Sequence, residues 1–193
     1  MISAIVLPGI TGSGPEHWQS IWEAQDPSLV RFQPASWDYP DLDDWIASLD
    51  AAIATAAQPP LLIVHSLACL LVAHWSARST RSIRGALLVS VPDPKSPAFP
   101  AEARSFEEPP RQRFGFPALI VASSNDPFGT IDYSRSRARE WGAGYVIAGA
   151  YGHINGASGL GEWEQGKGLF EAFRAGTGAA GPGLHASTSP NEK

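Results

Sequence analysis

Cysteine and long runs of a single character are what this chain has least of. Cys69 is its single cysteine, so no internal disulfide can brace the fold, and a reducing compartment, the cytoplasm, is the expected location. No block of basic residues occurs, and a net charge of -5 with a pI near 5.5 argues against a general nucleic-acid or anionic-membrane surface. No apolar run approaches the roughly 20 residues needed to cross a bilayer. The opening Ser3-Ala-Ile-Val-Leu7 is too short for a signal-peptide core and lacks its basic lead. Histidines and acidic residues do not fall at metal-ligand spacings, so neither a metal nor a cofactor is expected.

What is there suffices for a core. With 193 residues, 44% of them hydrophobic, and seven tryptophans, the chain reads as one domain over 1–175. Its end, 176–193, is rich in Gly, Ala and Ser and reads as a disordered tail. Apolar runs at 3–7, 29–33, 61–65, 85–91, 117–122 and 144–148 predict six short strands. The unbroken runs Leu61-Leu-Ile-Val64, Ala86-Leu-Leu-Val-Ser-Val91 and Ala118-Leu-Ile-Val-Ala122 suit strands buried on both faces, as in a mostly parallel sheet covered by helices. Between them, Leu42, Trp45, Ile46, Leu49 and Ile53 keep helical spacing behind Asp41, a plausible N-cap. Helices are also predicted at 67–78, 130–142 and 162–174. The alternation is that of an α/β fold. Prolines at 92, 94, 97, 100, 109, 110 and 117 exclude a long helix there and suggest an ordered excursion over one face, a candidate small lid.

Within Leu61-Leu-Ile-Val-His-Ser-Leu-Ala-Cys-Leu70 a strand-like run stops at Ser66 and a helix-like run begins at once. A residue at so tight a hinge is exposed at the carboxyl edge of a sheet, with its hydroxyl beside the free N–H groups of a helix start. The alternative is an ordinary serine N-cap between two buried elements, and on these residues alone the two readings balance. Val64 and Ala68 stand where a nucleophile turn usually has glycines, and Val64 is expected to crowd it.

A serine nucleophile needs a base, and this fold orders the trio serine, acid, histidine. Of five histidines, His17 and His65 precede Ser66, His74 lies within the next helix and His185 in the tail. His153 remains, in the turn-rich Gly149-Ala-Tyr-Gly-His-Ile-Asn-Gly156 after the last strand. Two acids fit, Asp126 after Ala118-Leu-Ile-Val-Ala-Ser-Ser-Asn125 and Asp93 after the preceding strand. Asp126 is the preferred one because the acid usually sits one strand before the histidine; either could instead be a turn-forming aspartate. For an oxyanion, the N–H of Leu67 is one donor, and the glycine-rich Pro8-Gly-Ile-Thr-Gly-Ser-Gly-Pro15 offers the other at Ile10, or at Thr11. That loop lacks the pattern of a phosphate- or dinucleotide-binding loop.

These segments, with His17-Trp18, Ser123-Ser-Asn-Asp-Pro127 and Gly152-His-Ile-Asn155 followed by Ser158-Gly-Leu-Gly-Glu-Trp163, together resemble the small serine hydrolases related to the retinoblastoma-binding serine hydrolase. The resemblance spans 3 to about 174. It implies a single-domain α/β-hydrolase fold with minimal or no cap, a triad of Ser66, Asp126 and His153, and cleavage of a small acyl substrate. Gly9, His17, Trp18, His65 and Trp163 become pocket candidates, although for His17 and Trp18 a helix start anchored on the core, and for Trp163 plain packing, is the simpler role. Cys69 reads as a small buried helix residue. The competing class is a hydrolase-fold binding module whose chemistry has lapsed; a flavodoxin-like module would instead retain a cofactor. A protein partner is compatible with the sequence, which does not identify one.

Overall fold

The computed structural model describes residues 2–178. Six strands form one sheet: β1 (Ala4–Leu7), β2 (Leu29–Arg31), β3 (Leu61–His65), β4 (Gly85–Val89), β5 (Ala118–Ser123) and β6 (Gly144–Gly149). Their spatial order is β2-β1-β3-β4-β5-β6, and every pairing is parallel. Five helices complete it: α1 (Trp18–Gln25), α2 (Leu42–Ala54), α3 (Leu67–Ser76), α4 (Ile131–Trp141) and α5 (Glu164–Gly178). All six strands stand where apolar runs predict them, and α1 begins at Trp18, where His17-Trp18 reads as a helix start. The last helix runs past Arg174 to Gly178, so it takes in the first residues of the expected tail; 179–193 lie outside the described residues.

Strand alternation sorts the core into two layers. Ile5, Leu7, Leu62, Val64, Leu88 and Ile120 face α2, α3 and α4, whereas Ala4, Val6, Leu61, Ile63, Val89 and Val121 face α1 and α5. Helices on both sheet faces explain why β1, β3 and β4 are apolar at nearly every position rather than at every second one. α3 lies deepest, with Leu67 through Trp75 all buried. The aspartate expected to cap α2 does so, Asp41 accepting the N–H of Asp44 at 2.9 Å.

The proline-rich connection from β4 to β5 adds no domain. It is pinned at Ala103 and Phe106, both fully buried, and the Phe106 carbonyl accepts from His74 Nε2 at 3.2 Å. It is a strap fixed to α3, with Phe99 and Pro100 left at a cavity edge. Among the described residues no helix is long and apolar enough to cross a membrane.

Topology already marks a place for a site. After β1 the chain turns outward through α1 to β2, and after β3 it turns the other way through α3 to β4. The connections leaving the carboxyl ends of β1 and β3 therefore diverge and open a crevice, as at any switch point of a doubly wound sheet. At the same edge Gly129 lies so close to the β4 exit that an added Cβ would meet the Val91 carbonyl oxygen at 2.3 Å. Gly129→Ala should lower stability by about 1–3 kcal/mol, read as a shift of the urea midpoint. Gly115→Ala, which opens onto free space, should stay within about 0.5 kcal/mol; equal midpoints for the two variants would contradict the packing described.

Candidate active site

β3 ends at His65 and α3 starts at Leu67, so Ser66 alone makes the turn, at φ 56° and ψ -126°. This is a left-handed conformation that serine adopts only when its surroundings impose it. Here the Ser66 N–H donates to Val89 O (2.9 Å), and its carbonyl accepts from Cys69 N (2.8 Å). Its hydroxyl makes no capping bond to α3, so the N-cap alternative fails on geometry. Val64 does not prevent the turn: its side chain is fully buried in the α2–α3 layer, away from the crevice. The crowded contact is with Gly9, where a Cβ would sit 2.8 Å from Ser66 Cβ. Gly9 thus serves by having no side chain and does not line the cavity.

Ser66 Oγ lies 2.7 Å from His153 Nε2, and His153 Nδ1 lies 2.9 Å from both carboxylate oxygens of Asp126. A carboxylate can only accept, so Nδ1 carries the proton and Nε2 is left to accept from the serine hydroxyl. Asp126 also accepts the Phe128 N–H and is almost wholly buried. Asp93, the other candidate acid, instead accepts the Lys95 N–H in a local turn and faces a separate cavity.

The histidine loop is held from several sides. Gly152 N–H donates to Asn125 Oδ1, Tyr151 N–H to Ser123 Oγ, and Trp18 Nε1–H to the Ile154 carbonyl. His65 Nε2–H donates to the His153 carbonyl at 2.9 Å, and the Phe128 ring lies 4.4 Å from the His153 ring. Trp18 and Trp163, pocket candidates by sequence, are buried beneath this loop with ring centroids 5.0 Å apart; they are core, not cavity wall. His65 and His17 do line the cavity. His17 caps α1, its Nδ1 accepting the Gln19 N–H. Burial, reinforced by the charge of Arg31 and by His153, lowers its pKa to about 3. Burial, then His17 and His153, pushes His65 well below the usual histidine range as well. Both rings are neutral where His153 would work. Cys69 is buried, and desolvation drives its thiol pKa up, which makes it inert.

The crevice is a cavity of about 550 Å³. Its lining combines the apolar Ile10, Leu67, Pro92, Phe99, Pro100 and Phe128 with the polar Ser13, Glu16, His17 and Asn155. Phe99 and Phe128 escaped the sequence reading because nothing local separates a wall aromatic from a core one. Among the described residues, the N–H groups of Ile10 and Leu67 have no protein acceptor, whereas the Thr11 N–H donates to Trp37 O at 3.0 Å. Thr11 is thereby removed as an oxyanion donor, and Ile10 is left as the candidate, lining the same cavity as Ser66 and Leu67. No group of three or more His, Cys, Asp or Glu side chains is placed to hold a metal among the described residues.

Known proteins share the fold that carries this arrangement. A YdeN-like hydrolase from Pectobacterium atrosepticum is similar in structure at 29% identity, with 91% of each chain covered and a TM-score of 0.81. The ydeN gene product of B. subtilis, at 16% identity, covers 91% of this chain and 100% of its own with a TM-score of 0.74. A monoacylglycerol lipase from Paleococcus ferrophilus, at 13% identity, covers 89% and 93% with a TM-score of 0.67. At those two lower identities the likeness establishes the α/β-hydrolase fold. No curated protein matches the sequence. The serine hydrolase family matches across residues 4–172, nearly the whole described chain, and this protein belongs to that family of hydrolytic enzymes.

Proposed function

We propose that the protein cleaves small esters, thioesters or activated amides through an acyl-enzyme intermediate on Ser66, with His153 as general base and acid and Asp126 orienting it. The observation that carries this reading is the unbroken chain from the strained Ser66 through His153 to Asp126, with contacts of 2.7 and 2.9 Å. His153 Nε2 takes the Ser66 proton as Oγ attacks the substrate carbonyl carbon, and the resulting oxyanion meets the N–H groups of Leu67 and Ile10. The intermediate collapses as the imidazolium protonates the departing alcohol, thiol or amine. Water, deprotonated by the same nitrogen, then attacks the acyl-enzyme, and the carboxylic acid leaves with Ser66 restored. Asp126 holds the productive tautomer and stabilises the imidazolium.

The cavity narrows the acyl group. No lysine or arginine lines it among the described residues, and its one formal charge is Glu16 at the mouth. With apolar residues in its lining and an overall charge of -5, it suits uncharged acyl groups of modest size. Fold neighbours named as a monoacylglycerol lipase and a type II thioesterase span the same carbonyl chemistry. A cytoplasmic location, and no nucleic-acid or membrane partner, remain part of the proposal; they are supported by the acidic balance and the single buried thiol.

With p-nitrophenyl butyrate, Ser66→Ala should lose fluorophosphonate labelling and lower turnover on the order of 10⁴-fold or more. Asp126→Asn should approach that loss, whereas Asp93→Asn should stay within about twofold. Labelling that persists in Ser66→Ala would sink the assignment. Charge preference is checked with mono-p-nitrophenyl glutarate, which carries a free carboxylate: its kcat/KM should fall about tenfold below that of the butyrate, and Glu16→Lys should narrow the gap. Equal rates on both esters would refute the preference. His17 stays neutral down to about pH 3, and burial keeps His65 uncharged as well, so neither ring should add a proton to the pH dependence of kcat/KM between about pH 5 and 8. A slope steeper than one proton in that range would show that one of the two titrates there.

A further inference from the structure

The loop that presents the Ile10 amide is conformationally improbable. Thr11, Gly12 and Ser13 take φ values of 69°, 77° and 51° in succession, and two of the three carry a Cβ that disfavours this region. Left to itself the segment would relax, and the Ile10 N–H would lose its aim. It is held from behind by the side chain of Arg31, which reaches over from β2. Arg31 Nη1 donates to the carbonyls of Gly12 (2.6 Å) and Ser13 (3.3 Å), and Nη2 donates to Ser20 Oγ (2.8 Å), which itself donates to the Ser13 carbonyl at 2.7 Å. The guanidinium is oriented in turn by the Glu23 carboxylate of α1, which accepts from Nε at 3.0 and 3.1 Å and also pairs with Nη2.

We infer that Arg31 is a positioning residue for catalysis, fixing the strained 11–13 turn so that the Ile10 amide points at the substrate oxyanion; this rests on the serine-hydrolase reading above. Arg31 does not line the cavity and touches no reacting atom. Its planar fork is what the task needs, since donors must reach two adjacent carbonyls and a hydroxyl while a carboxylate holds the other edge. A lysine ammonium at one point cannot span these partners. Pairing of Arg31 with Val6 in the sheet roots the clamp on β1, the strand from which the loop departs. The oxyanion loop is thus fastened to the same strand at its base and, through Arg31, at its tip.

The experiment compares wild type with Arg31→Met and Arg31→Lys on p-nitrophenyl butyrate, with active sites counted by fluorophosphonate titration. Loss of one oxyanion donor lowers kcat about 10²–10³-fold, and a misaimed donor should lower kcat per titrated site by about 10- to 100-fold with KM changed less than about threefold. Affinity for an alkylboronic acid, which forms a tetrahedral adduct on the serine, should fall in parallel with kcat/KM. Should Arg31→Met fail to fold, Arg31→Lys keeps the charge and the test. In Arg31→Ala, millimolar guanidinium should restore part of kcat, and it should have no effect on wild type. Unchanged kcat per titrated site, with only melting temperature or titratable fraction reduced, would overturn the inference and leave the serine-hydrolase reading standing. Failure of wild type to label would overturn that reading first.

Discussion

Ser66 would not hold a φ of 56° in a free chain, where such a residue strays from its preferred wells at a cost of about 1–3 kcal/mol. Everything near the site serves to impose that conformation. The turn exists because β3 and α3 are each buried along their lengths, so neither can yield a residue to lengthen the link. Val89, one strand over, receives the Ser66 N–H, which ties the angle of the turn to the parallel register of β3 on β4. Gly9 on the other side yields the space of a side chain, so the loop after β1 can close against the serine. A kink in one residue is thereby fixed by three strands.

The same economy of partners governs charge. Three imidazoles, His17, His65 and His153, stand in a row with ring centroids 4.6 and 5.0 Å apart. Were all three to bind protons, positive charge would meet its like. Burial prevents this by keeping His17 and His65 neutral, and each of them then has structural work: His17 caps α1, and His65 holds the His153 carbonyl. Only His153 has a carboxylate at its back, so the positive charge has one place to reside.

The parts of this design that could be read in the sequence are those set by chain order and local pattern. Six apolar runs gave six strands because parallel strands covered on both faces need continuous apolarity. Ser66, Asp126 and His153 followed from the order in which the fold delivers its strand ends. What could not be read depends on contacts remote in sequence. Ile10 and Thr11 differ as donors because the Trp37 carbonyl, 26 positions on, occupies the Thr11 amide. Trp18 and Phe128 are equally aromatic, yet one supports the histidine loop from the core and the other forms cavity wall. Arg31 gave no signal, since an arginine ending a short edge strand looks like any solvated charge until Gly12 and Ser13 turn their carbonyls toward it.

A sheet whose strand order reverses between β1 and β3 explains why so short a chain can present this chemistry without a cap domain. The reversal sends α1 and α3 to opposite faces, so the loops that carry Ile10 and Leu67 leave adjacent strands and cannot collapse onto one another. A gap follows from topology alone, before any side chain is chosen. What must still be supplied is a wall, and the proline-rich strap provides it with Phe99 and Pro100 while Phe106 anchors it to α3. A lid free to close would need the strap to leave that anchor, exposing a fully buried phenylalanine at a cost of about 1.5–3 kcal/mol. The strap is therefore a fixed wall of the cavity that Ser66 lines, with Phe106 holding it to α3.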